Sequence, residues 1–134
     1  MLSYGFQKKI DNRYINDGGC YFLSLMQGID RREEEIEDIY KMSVSKNYMD
    51  YECFVKEPTK LLLELTHKNW LLNVSKTFDS NADIIIAKWY NPRTKYSHFV
   101  LMDKDNNVLY DPLGNSVTVK EGYIESYRLF YINN

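Results

Sequence analysis

The chain has 134 residues, a formal net charge of −2, 44% hydrophobic residues and 27% charged ones, which together describe one ordinary domain over 1–134. A chain of this size buries roughly two-thirds of its unfolded surface and so needs no metal or disulfide staple. No long basic run is present, which argues against nucleic-acid binding, and apolar stretches such as Asp83-Ile84-Ile85-Ile86-Ala87-Lys88 are far too short to cross a bilayer.

The opening residues, Met1-Leu2-Ser3-Tyr4-Gly5-Phe6-Gln7-Lys8-Lys9, lack the charged start and apolar core of a secretory signal. The two cysteines, Cys20 and Cys53, are therefore read as free thiols in a reducing compartment, with the cytoplasm as the expected location. Residues 1–19 are polar and irregular up to Asp17-Gly18-Gly19. From Cys20 the sequence turns apolar, and Phe22, Leu23, Leu25 and Met26 predict a helix buried on most sides that ends at Gly28. The two preceding glycines permit positive φ and a tight entry, placing Cys20 at the helix N-terminus. Asp30 with Glu33 predicts a capped second helix whose buried stripe is Ile36, Ile39, Tyr40 and Val44. Its early acids, Glu33 to Glu35, suit the helix dipole and are read as a solvated helix start.

Residues 45–57 predict a loop, and Pro58 opens a third helix through Leu61, Leu62, Leu63 and Leu65. From Trp70 onward the pattern is that of strands, at 70–75, 83–90, 97–103, 108–111 and 127–132, separated by Asn, Asp, Gly and Pro turn signals. Helices followed by antiparallel strands predict an α+β fold with the helices on one sheet face. Trp70, Trp89, Tyr90 and Tyr96 are assigned to the core, with Tyr90 and Tyr96 also placed to reach a cleft near residue 98.

Chemistry begins with Cys20. A helix N-terminus favours the thiolate, and its outward N–H groups can stabilise an oxyanion. The plain alternative is a small buried hydrophobe. His98 stands at the start of the strand Ser97-His98-Phe99-Val100-Leu101, and Asp111 follows thirteen residues later in Tyr110-Asp111-Pro112. With an even hairpin loop, directly paired positions have an odd sum, and positions 98 and 111 total 209. The pair then shares a face, with Cβ atoms roughly 4.5–8 Å apart. An odd loop without a bulge separates them. On one face, Asp111 holds one imidazole nitrogen and the other meets a nucleophile. Taken singly, His98 is equally a cross-strand surface histidine and Asp111 a turn residue. Cys53 is read as packing, His67 as a surface cation at a helix end, and the Cys/His spacings as unsuited to zinc.

Asp17-Gly18-Gly19-Cys20-Tyr21-Phe22-Leu23-Ser24-Leu25 resembles the nucleophile helix of papain-like cysteine peptidases. Ser97-His98-Phe99-Val100-Leu101-Met102-Asp103 and Val108-Leu109-Tyr110-Asp111-Pro112-Leu113-Gly114 are similar to the histidine and aspartate strands of one branch. That branch comprises the bacteriocin-leader (double-glycine) processing peptidases and their stand-alone bacterial relatives. The resemblance implies a papain-like fold with Cys20 as nucleophile, His98 as general base and acid, and Asp111 as orienter. The family also places a glutamine several residues before the cysteine to complete the oxyanion hole. Gln7 lies too far upstream in sequence, so Asn16, four residues before Cys20, takes that part as an N–H donor.

The expected activity is hydrolysis of a peptide, isopeptide or related amide bond in a peptide or protein substrate, through a thioester and without cofactor or metal. The alternative function is a papain-like fold without catalysis, which binds a partner protein through aromatic residues such as its 12 tyrosines.

Overall fold

The first residues, expected to be irregular, form two short helices in the computed structural model, which describes residues 1–133. Helix α1 (Phe6–Lys9) starts after Gly5 at φ 75°, and α2 (Arg13–Gly18) is capped by Asn12. The Asn12 side-chain oxygen accepts from the N–H groups of Tyr14 at 3.0 Å and Ile15 at 3.1 Å, satisfying donors that a helix start otherwise leaves open. Only Gly19 then separates α2 from α3 (Cys20–Gly28).

Gly19 is needed for space and not for handedness. Its φ is −88°, open to any residue, but a Cβ there would stand 2.6 Å from the Ile15 carbonyl oxygen and 2.8 Å from Ile15 Cγ2. The expectation of positive φ at this entry is corrected on that ground. Gly19→Ala should therefore cost about 1–3 kcal/mol through overpacking and shift the start of α3. Thermal unfolding against Gly18→Ala checks this, because a Cβ at Gly18 meets only the Glu52 carbonyl, at 3.3 Å, and should cost less.

Asp30 does not cap the next helix; it takes a left-handed φ of 57° in the turn after α3. A 3-10 turn at Glu33–Glu35 leads into α4 (Ile36–Ser45), with the Arg32 N–H donating to the Glu35 carboxylate at 3.0 Å. Glu33 instead accepts from the backbone and hydroxyl of Ser3, at 2.6 and 2.7 Å, and so ties down the N-terminal segment. Helix α5 (Pro58–Thr66) starts at Pro58 as expected and is closed by exposed His67 in a left-handed cap.

Strands β1 (Trp70–Ser75), β2 (Ile84–Asn91), β3 (Tyr96–Met102) and β4 (Val108–Tyr110) follow. A short helix α6 (Val117–Glu121), hidden in sequence by its β-branched residues, then precedes β5 (Tyr123–Ile132), which starts four residues before the expected limit of 127. All pairs are antiparallel, in the order β1-β5-β2-β3-β4. The fold is α+β.

One sheet face, with Ile84, Ile86, Leu101 and Phe130, packs on Phe22, Leu23, Leu25, Met26, Ile36, Leu61 and Leu62 from the helices. The opposite face carries a second buried cluster, including Ile85, Ala87, Val100, Met102, Tyr127 and Leu129, over which Phe78 and Val119 of α6 close. Helical cover is thus not confined to one face. Of the four aromatics assigned to the core, Trp70 is buried, Trp89 and Tyr90 are half-buried, and Tyr96 is 72% exposed. Among the described residues no helix is long and apolar enough to cross a membrane.

Helix α3 lies against β3: the Ser24 hydroxyl donates to the Phe99 carbonyl at 3.4 Å, and the Tyr21 and Phe99 rings sit 4.8 Å apart. That contact brings the N-terminus of α3 to the His98 end of β3.

Candidate active site

The hairpin that joins β3 to β4 has an odd loop. Asp103 N–H donates to the Asn107 carbonyl at 2.8 Å across residues 104–106, and Asn106 takes φ 64°. Beyond it Met102 pairs with Val108, a register under which positions 98 and 111 would face opposite ways. The strand then bulges at Leu109, and Leu101 pairs with Tyr110. That one extra residue reverses the parity and returns His98 and Asp111 to a common face.

His98 Nε2 lies 2.6 Å from Asp111 Oδ1, and both side chains are about 4% exposed. The carboxylate has further donors. Leu113 N–H reaches Oδ1 at 2.9 Å and Ser116 N–H reaches Oδ2 at 3.4 Å, as the chain turns through Pro112 and Gly114. Gly114 adopts φ 85° there. The same turn fastens α1, because the Gln7 N–H donates to the Pro112 carbonyl at 3.1 Å.

Burial works against the charged form of Asp111, but the His98 bond and charge together with the two backbone N–H groups hold it below the ordinary carboxylate range. Burial likewise opposes a charged His98. Hydrogen bonding to Asp111 and to the Cys20 side chain, with the charges of both, outweighs it and raises the imidazole to about 9. With Nε2 engaged by Asp111, Nδ1 is the nitrogen left for Cys20.

Cys20 is a free, half-buried thiol on the first residue of α3. Its own N–H belongs to the first turn, where helix donors have no intrahelical acceptor. Beside it opens a cavity of about 490 Å³ whose walls include Tyr21, Cys53, Leu72, Phe99 and Arg128. A thiol, an imidazole held by a buried carboxylate, free N–H donors and an adjoining cavity are the parts that acyl transfer to sulfur requires.

The family model described as "Protein of unknown function, DUF261" matches residues 6–132. The chain belongs to the DUF261 family. No curated protein and no solved structure matches it.

In this DUF261 chain Asn16 sits half-buried on α2 and is not part of the wall of the cavity beside Cys20. Its backbone carbonyl accepts a 3.1 Å hydrogen bond from Gln7 Nε2. Gln7, set aside on its distance along the sequence, is 2% exposed and keeps a buried Oε1 without a partner among the described residues. Helix α1 folds back onto α2 and onto the Asp111 turn, so Gln7 lies beside Asn16 in spite of its distance along the chain. Gln7 is thus a hydrogen-bonded neighbour of Asn16, which lies four residues before Cys20.

Cys53 packs as expected, 3% exposed, but it also lines the Cys20 cavity. Burial, then the charges of Asp50 and Cys20, push its thiol up to about 12. Arg128 was not singled out from sequence. Its signal is the alternation in β5: Tyr127 and Leu129 belong to the second cluster, which leaves Arg128 on the helix-facing side with Phe130.

Proposed function

We propose that this DUF261 chain is a papain-like thiol hydrolase acting on a peptide, isopeptide or related amide bond. The observation that carries the reading is the His98–Asp111 contact at 2.6 Å, on a strand packed against the helix that begins at Cys20. His98 takes the Cys20 proton, and the thiolate attacks the substrate carbonyl carbon, whose π electrons move onto oxygen. The Cys20 N–H and a side-chain amide, from Asn16 or Gln7, stabilise that oxyanion. Collapse of the adduct expels the amine, which takes its proton from His98, and leaves a thioester on Cys20. Water, deprotonated by His98, attacks the thioester; the carboxylic acid leaves and the thiol is restored. Asp111 keeps the ring in one orientation and stabilises its charged form without itself taking the proton.

The first test uses iodoacetamide at pH 7 on the folded chain, with the adducts mapped by mass spectrometry. Cys20 should be alkylated rapidly and Cys53 spared, since a thiol near 12 holds almost no thiolate. A Cys20 that labels only after denaturation would overturn the proposal. A positive result leads to a peptide-amide library, in which Cys20→Ser should remove all turnover.

A further inference from the structure

We infer that the cavity beside Cys20 is built for substrates that present an apolar group and a carboxylate close to the reacting carbonyl, with Arg128 as the residue that reads the carboxylate. The inference rests on Cys20 being the nucleophile proposed above.

The cavity walls are largely apolar, with Val55, Leu72 and Phe99 among them, and at about 490 Å³ there is room for one side chain or a short peptide end. Into this wall β5 projects a cation. Arg128 lies on an interior strand, paired with Ile86 on one side and Val74 on the other, one inward position from fully buried Phe130. The half-buried guanidinium gives up part of its hydration there, and the common compensation is a carboxylate. Among the described residues none pairs with it. Its one protein hydrogen bond among the described residues runs from Nη1 to the Ser126 hydroxyl at 2.6 Å, and its Cζ lies over the Phe99 ring, 5.3 Å from the centroid. A guanidinium has five N–H donors, so the single bond to Ser126 leaves others for the bidentate contact that suits a carboxylate.

The neighbouring groups fit the same occupant. Tyr21, whose ring lies tilted against Phe99 at 4.8 Å, is kept neutral because burial pushes its phenol up, only partly opposed by Arg128; it remains a hydroxyl able to donate. Lys56 is exposed and already donates to the Asn47 side chain. Glu52 is an exposed acid at the mouth that makes no ion pair with Arg128. The inner wall is thus apolar with one unmatched positive charge.

A carboxylate of this kind is either the C-terminus of a peptide or an Asp or Glu side chain, and alkylating probes separate the two. N-bromoacetyl-leucine is compared with its carboxamide, and N-bromoacetyl-glutamate α-amide with its glutamine counterpart. In each case the Cys20 thiolate displaces bromide, forming the S–C bond as the C–Br bond breaks. The folded chain should react about tenfold or more faster with one acid than with its neutral twin, the increment of one charge-assisted bidentate contact. Which acid is favoured identifies the source. Arg128→Met should bring that acid-to-amide ratio close to one, and Arg128→Lys should retain part of it. Because each ratio is taken within one protein, a general loss of reactivity in a variant does not imitate the effect, whereas carboxylate attraction by the His98 imidazolium would survive Arg128→Met.

A ratio near one on the unaltered chain, or a ratio unmoved by Arg128→Met, overturns the assignment of Arg128. Brisk iodoacetamide labelling of Cys20 beside such a result leaves the thiol-hydrolase reading standing. Failure of iodoacetamide to label Cys20 overturns that reading and this inference with it.

Discussion

His98→Ala should slow alkylation of Cys20 by iodoacetamide at pH 6.5 by about 10- to 100-fold, because the thiolate is the reactive form and the variant lacks the base that takes its proton. The imidazole raised to about 9 is a cation at that pH, and it is the positive charge through which the Cys20 side chain and the ring influence each other. Without it the thiol keeps the N-terminus of α3 and the more distant Arg128 of the cavity wall as sources of positive potential. The measurement is the rate of Cys20 alkylation from pH 5 to 9, read by mass spectrometry for the unaltered chain and the variant. The variant should be the slower of the two at pH 6.5. Removing the ring leaves the Asp111 carboxylate buried with fewer donors, so His98→Gln serves as a second variant that keeps an N–H donor but no base. A rate indifferent to both substitutions would sink the hydrolase reading.

Asp111→Ala should lower stability by about 3–5 kcal/mol, the usual result of stripping one partner from a buried charged pair. For a chain of this length that is a fall in Tm of about 10 °C or more. Two effects add. The His98 ring, almost wholly buried, loses its acceptor, and the N–H groups of Leu113 and Ser116 lose the carboxylate that organises the turn after β4.

The loss has a definite pH dependence. His98 is raised from 6.5 to about 9, so its contribution is complete below pH 6.5 and disappears as pH climbs through about 9. Asp111 is lowered from 3.8, so its contribution is complete above pH 4 or so and disappears as pH falls through the lower native value. The pair is at full strength between about pH 4 and 6.5, and the unaltered chain should lose stability from pH 6.5 to 9 by about 3 kcal/mol, at 1.36 kcal/mol per unit. Asp111→Ala should flatten that decline. Urea unfolding at pH 6 and pH 9 on both proteins checks it; an unaltered chain equally stable at the two pH values would mean that the pair carries no linked proton.

Local features of the chain account for much of this architecture. The apolar run after Gly18-Gly19 placed the start of α3 at Cys20, because a glycine-marked entry and a continuous hydrophobic surface both act within a few residues. The antiparallel strands followed from alternation, and the α+β layering from their order after the helices. Even the partnership of His98 with Asp111 was open to a parity argument, since both stand on one hairpin. That argument could not see Leu109: the loop has the wrong length, and a bulge corrects it. A bulge depends on how β4 packs on the rest of the sheet, and a single added residue turns every later side chain to the other face.

The remaining parts of the site belong to the tertiary structure alone. Gln7 reaches Asn16, Cys53 comes to the Cys20 cavity, and Arg128 enters its wall from the last strand. No periodicity of 2 or 3.6 residues reports which distant elements meet. Hydrophobic burial decides that, by choosing the one arrangement in which α3 to α5 cover the inner face of the sheet and α6 closes on the other. The sequence by itself determined where Cys20 and the hairpin of His98 and Asp111 would lie; only the packed fold decided what stands beside them, an apolar cavity with one unmatched cation.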